Sequence, residues 1–208
     1  MNVQLAGWNG VPQGVVAAEE YSEASLRKDI TMHVVHSRSY LGDSIDDSEF
    51  YVDIILKMAE LTCSMPRMGG SRAAFLTSNK EVVKVAFTKA GTVQNKIEAA
   101  LSKQDWRAVR RHWKGQRMGT PWEFVEETLK DYDYNFPIAH TVLSTKYESV
   151  GAGKADIISQ EAVTPIMFYM ESDIPTEQKR FWSLMSNHVD VVQLGLREST
   201  GEVVAYDF

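Results

Sequence analysis

The amino-acid sequence predicts an α+β fold built on an antiparallel sheet, and three observations near its end carry that expectation. Residues 164–171 and 189–194 are rich in β-branched and aromatic residues and are bounded by turn formers. Between them, after Pro175, Phe181, Leu184, Met185 and His188 recur at helical spacing. A closing strand over 203–208 follows a turn carrying Gly195, Arg197 and Gly201. Strand, helix and strand make half of a ferredoxin-like (RRM-like) βαβ unit. In such a unit helices cover one face of the sheet, and the free face or the loop rim can carry a nucleic-acid strand.

Taken in order, residues 1–29 mix Gly7, Gly10, Pro12 and Gly14 with a polar run and show no periodic apolar face, so they read as an N-terminal extension. Residues 30–208 then form one α+β domain. The run 30–36, Ile-Thr-Met-His-Val-Val-His, alternates loosely and reads as its first strand. Turn chemistry over 41–47 leads to a helix capped by Asp47 or Ser48, whose stripe is Phe50, Ile54, Met58 and Leu61. Residues 66–72 read as a glycine-rich loop presenting Arg67 and Arg72, and 80–88 as a second strand. A helical insertion is expected over about 92–135, with a capping box at Thr120-Pro121-Trp122-Glu123 opening its last helix, which runs to about Lys130. A strand over 138–144 and a loop over 146–154 follow.

Composition narrows the function. The formal net charge of the 208-residue chain is −6, which argues against indiscriminate nucleic-acid binding but not against a local basic surface. Cys63 is the only cysteine and lies in an apolar helical pattern, so it reads as a buried spectator thiol with no disulfide framework around it. No apolar run is long enough for a membrane helix and nothing at the start marks export, so the expectation is a soluble cytoplasmic protein.

The basic residues concentrate in Lys103, Arg107, Arg110, Arg111, Lys114 and Arg117, with Trp106 and Trp113 among them. On a helix Trp106, Val109 and Trp113 share one side, and Arg107, Arg110, Arg111 and Lys114 cover the flanks and the opposite side. One reading is an amphipathic helix with core tryptophans and solvated arginines. The other is a phosphate-contacting surface, for which the planar guanidinium is suited. Clustering of cations in an acidic protein favours the second. In the loop over 146–154, Gly151 and Gly153 permit close backbone approach while Lys146 and Lys154 add positive charge, which resembles a phosphate cradle. It lacks the spacing of a P-loop.

The five histidines are scattered, and no pair has the spacing of a helical zinc motif, so neither a metal nor a cofactor is expected. The remaining catalytic option is metal-independent RNA cleavage with His36 as general base on a 2′-hydroxyl. A lone histidine is more often structural, because geometry rather than residue type makes a catalyst.

The order of these elements, with Val150-Gly151-Ala152-Gly153-Lys154 between the third and fourth strands and Gly195-Leu196-Arg197-Glu198-Ser199-Thr200-Gly201 before the last, resembles the RAMP superfamily of CRISPR proteins. Within it the chain is most similar to the subunit that holds the 5′ handle of the crRNA in class 1 effector complexes, particularly the small type IV form. The likeness covers roughly 30–208. The family's closing loop is usually richer in glycine and lysine, and here Glu198 and Ser199 occupy part of it.

The resemblance implies a ferredoxin-like fold, no catalysis and a bound crRNA. Its implied partners are the repeating backbone subunit and the large subunit, with target DNA met only indirectly. Arg67, Arg72 and Arg197 then join the basic helix and the glycine loop as RNA contacts, and Trp106, Trp113 or Tyr147 could stack bases, although each also reads as a packing residue. Two alternatives stand beside this reading. One is a RAMP endoribonuclease that processes CRISPR RNA; the other is an unrelated phage or plasmid interaction protein whose basic patch meets an acidic partner.

Overall fold

The computed structural model describes residues 22–114, 122–131, 138–144, 155–165 and 193–206, with Thr176 and Lys179 in helical conformation. Helix α1 (Glu23–Tyr40) opens at Ser22, whose hydroxyl accepts a hydrogen bond from the Ser25 N–H at 3.1 Å. Ile30, Val34, Ser37 and Arg38 are its buried positions, spaced i, i+4, i+7 and i+8. The strand expected over 30–36 is therefore the middle of a helix. Seven β-branched-rich residues mimic strand alternation, but the longer window carries a single helical stripe that must be buried. The helix also crosses residue 29, so the last residues of the expected N-terminal extension belong to α1, and residues 1–21 lie outside the described residues.

Helix α2 (Ser48–Thr62) forms where its caps and apolar period predict, and buries Val52, Ile55 and Met58. It ends on Cys63 in the left-handed region, φ +49°. That thiol is exposed, contrary to the buried reading, because the cap residue has already left the helical face.

Strands β1 (Arg67–Met68), β2 (Arg72–Leu76), β3 (Glu81–Ala86), β4 (Thr141–Ser144) and β5 (Ile157–Glu161) form a sheet of order β1-β2-β3-β5-β4, with every neighbouring pair antiparallel. Strand β3 and the strand after Ile138 were legible. The loop expected over 66–72 instead folds as a tight hairpin, in which Arg67 and Met68 pair with Ala74 and Ala73. Neither β2 nor β5 shows a clean alternation in sequence, and both are strands because they flank β3.

Side-chain alternation along this sheet decides the architecture. Ala73, Phe75, Val83, Val85 and Ile157 share one core with Ile30, Val34, Val52, Ile55 and Met58, which places α1 and α2 on that face. On the other face Arg72, Lys84, Thr141 and Gln160 lie beneath helix α3 (Lys89–Ser102). Helices thus cover both faces of this sheet. β3, α3 and β4, with β5 between the two strands, form a split β-α-β unit.

The layer between α3 and the sheet is polar. Glu98, 1 % exposed, accepts from Lys84 Nζ at 2.9 Å, from Gln160 Nε2 at 3.3 Å and from the Arg72 guanidinium. Asn95 donates to the Asp156 carbonyl at 2.8 Å. α3 approaches the β1–β2 hairpin closely at Gly91, where a Cβ would lie 2.3 Å from the Ser71 carbonyl oxygen.

Helices α4 (Trp106–Trp113) and α5 (Trp122–Asp131) follow as the sequence predicts. Strands β6 (Thr164–Pro165), β7 (Gln193–Leu196) and β8 (Val203–Tyr206) make a second antiparallel sheet, and its Leu194, Val203 and Ala205 pack with Ile97, Leu101, Trp113 and Trp122. The rest of the strand expected through 171, the helix expected over 175–188 apart from Thr176 and Lys179, and the start of the strand from 189 lie outside the described residues. Gly195 belongs to β7 rather than to the turn; a Cβ there would meet Val163 Cγ2 at 2.5 Å. The turn before β8 places Gly201 at φ +69°, a conformation glycine adopts without steric cost.

Candidate nucleic-acid interface

Helix α4 is short and capped at Asp105, whose carboxylate accepts from the Ala108 N–H at 3.0 Å. Ala108, Val109 and Trp113 are buried and Trp106 is half-buried, all packed with the core shared by α3, α5 and the second sheet. With that side turned inward, Arg107, Arg110, Arg111 and Lys114 are all exposed. Their spacing of i, i+3, i+4 and i+7 makes a single stripe about 10 Å long at the 1.5 Å rise of an α-helix.

Among the described residues no carboxylate pairs with Arg107, Arg110 or Arg111, and Lys114 Nζ stands 3.8 Å from Glu123 in the first turn of α5. Arg110 and Arg111 also lie in the last turn of α4, where positive charge complements the helix dipole. His112 senses the local field. Burial holds its imidazole below the ordinary histidine value, and the neighbouring Arg111 and Lys96 charges depress it further against a smaller opposing pull from Asp105. Lys96, on α3, is brought near His112 by the α3–α4 packing, with its Nζ 3.5 Å from Asp156.

The tryptophans do not stand ready to stack bases. Trp113 and Trp122, 4 % and 3 % exposed, meet edge to face with centroids 6.2 Å apart in the core. Other expected contacts are dispersed. Arg67 is exposed on β1, whereas Arg72 commits its guanidinium to Glu98 and to Asn95 Oδ1 at 3.3 Å beneath α3. Arg197 is part-exposed but also committed: it grips Glu161 with Nε 3.0 Å from both carboxylate oxygens and Nη2 2.7 Å from Oε1, and it also pairs with the exposed Glu202. Carboxylates thus already hold both guanidinium groups, Glu98 beneath α3 for Arg72 and Glu161 with Glu202 at the surface for Arg197. Arg117, Lys146, Tyr147, Gly151, Gly153 and Lys154 lie outside the described residues.

His36 is exposed on α1 rather than at a strand end. His33 Nε2 lies 2.8 Å from the Gly69 carbonyl and its ring meets Phe87 edge-on, a packing role. Among the described residues no group of three His, Cys, Asp or Glu side chains could hold a metal, and no helix is long and apolar enough to cross a membrane.

The Arg197 clamp predicts a pH signature. Burial raises the Glu161 carboxyl, but the Arg197 hydrogen bonds and the His140 N–H outweigh it and hold the group below the ordinary carboxylate value. A depressed carboxylate contributes stability that is present above its unfolded value and is lost as pH falls through the folded one. Arg197→Met should therefore destabilise the chain at neutral pH, and the gap from the parent should close as pH falls below about 4. Urea melts of both proteins across that range check this; a gap independent of pH would assign the loss to packing.

No family model, curated protein or solved structure matches this chain.

Proposed function

We propose that this chain is a non-catalytic RNA-binding protein that holds an RNA strand by its phosphates along α4. The observation that carries this reading is the exposed stripe Arg107, Arg110, Arg111 and Lys114, in which the three arginines have no carboxylate partner among the described residues, on a chain of net charge −6. Such unneutralised clustering is costly for the fold alone and suits a polyanion. The finer reading is a RAMP-like subunit of a class 1 CRISPR effector, with the 5′ handle of the crRNA as its ligand and the repeating backbone and large subunits as neighbours. The split β-α-β unit supports its ferredoxin-like element.

Salt titration tests the reading directly. Four phosphate contacts to a single strand give a slope of log K against log salt near −0.7 per contact, so affinity should fall about 50-fold between 50 and 200 mM salt. Changing any one of the four cations to alanine should weaken binding of a guide-length RNA and flatten that slope by about one contact. An unchanged slope would return the residue to the solvated surface. Incubation with repeat RNA in chelator separates the enzyme alternative, since a product ending in a 2′,3′-cyclic phosphate would establish cleavage.

A further inference from the structure

We infer that α4 grips its ligand through the phosphodiester backbone alone, making no contribution to base recognition; this rests on the RNA-binding reading above. Sequence-tolerant and sequence-specific single-strand binders alike stack bases on exposed aromatic rings beside the cationic track. Here the large rings nearest the stripe are turned into the core: Trp113 and Trp122 are closed into an edge-to-face pair, the part-buried Trp106 packs against the same cluster, and the small imidazole of His112, also part-buried, lies beside Arg111. The large exposed aromatic among the described residues, Tyr40 at 83 %, ends α1, and α1 lies across the sheet from α3 and α4. The outward stripe is made of arginine and lysine only. Such side chains neutralise phosphates wherever a strand presents them, and the buried rings Trp113 and Trp122 cannot reach a base without unpacking the core.

The physical consequence is that α4 contributes the same binding energy whatever bases the strand carries. Any selectivity of the whole protein must then come from another surface.

The test measures how much Arg110 contributes on two ligands. Single-stranded RNA of roughly ten nucleotides, within the usual site size of such binders, and an abasic ribose-phosphate oligomer of the same length are titrated into the full chain and into Arg110→Ala at equal salt. Thermal melting confirms that the exposed substitution leaves the fold unchanged. The expected result is that Arg110→Ala weakens both ligands by the same factor, within about twofold, even if their absolute affinities differ. A factor at least fivefold larger on the base-bearing RNA would overturn backbone-only recognition while leaving RNA binding intact. Absence of binding to the RNA at 50 mM salt, or equal affinity for polyglutamate of matched charge, would instead overturn the RNA-binding reading itself, whereas binding of the RNA alone and not of the abasic oligomer would overturn backbone-only recognition.

Discussion

Glu98→Ala is expected to lower the stability of the chain by about 3–5 kcal/mol, a large share of the 5–15 kcal/mol that holds a typical domain together. Glu98 is 1 % exposed between α3 and the sheet, and its two oxygens serve Arg72 and Lys84 separately, with Gln160 also donating to the oxygen that Lys84 uses. Lys84 is itself 5 % exposed, so removing the carboxylate leaves cationic side chains in a layer that water does not reach freely. Desolvating an ion is tolerable only while its counter-charge is in place. Glu98→Gln retains the shape and part of the hydrogen bonding but not the charge, and should fall between the two. Replacing Lys84 with methionine should cost less in the Glu98→Ala background than in the parent, because its ion pair with Glu98 is then already gone. Urea denaturation of the parent, Glu98→Ala, Lys84→Met and the double variant measures the coupling. A Glu98→Ala loss under about 1 kcal/mol would show that the cluster is hydrated in solution.

Arg38→Met should cost about 3–6 kcal/mol, since each charge-assisted hydrogen bond contributes about 1.5–3 kcal/mol and two are removed while the packed stem is kept. Arg38 is 4 % exposed; Nε donates to the Ser44 carbonyl and Nη1 to the Phe87 carbonyl, both at 2.7 Å, and the guanidinium lies 4.6 Å over the Tyr51 ring. It thereby ties the α1–α2 loop to the end of β3. The same loop supplies Asp43, whose carboxylate accepts from the Lys89 N–H at 2.7 Å where α3 begins. Loosening the loop should therefore speed hydrogen exchange at the Lys89 amide beyond what global destabilisation explains. Arg38→Lys should recover only part of the loss, because one ammonium cannot span two carbonyls as a planar guanidinium does. Unaltered Lys89 exchange in Arg38→Met would separate the arginine from the α3 cap.

Local information sufficed where a single element's own periodicity and caps decide its form. α2, α4 and α5 carry their apolar stripes within one window and β3 its β-branched run, so these were legible, whereas α3 begins at Lys89 on a Thr88 cap that the strand expected over 80–88 had absorbed. The outward stripe of α4 was legible for the same reason, since placing Val109 and Trp113 inward forces Arg107, Arg110 and Arg111 outward. Tertiary structure alone made Arg-Ala-Ala-Phe-Leu and Ile-Ile-Ser-Gln-Glu into strands, because β2 and β5 exist through hydrogen bonds to β3. It also turned residues 30–36 into part of a helix, whose buried stripe is defined by α2 and the sheet rather than by alternation. The fate of each arginine divided along the same line. An exposed helical stripe follows from nearest neighbours, but whether a guanidinium meets a phosphate or a carboxylate depends on residues far along the chain: Glu98 for Arg72, and Glu161 for Arg197. Charge pairing acts through space, so the sequence by itself determined where this protein is basic, and only the fold decided which of those charges remain available.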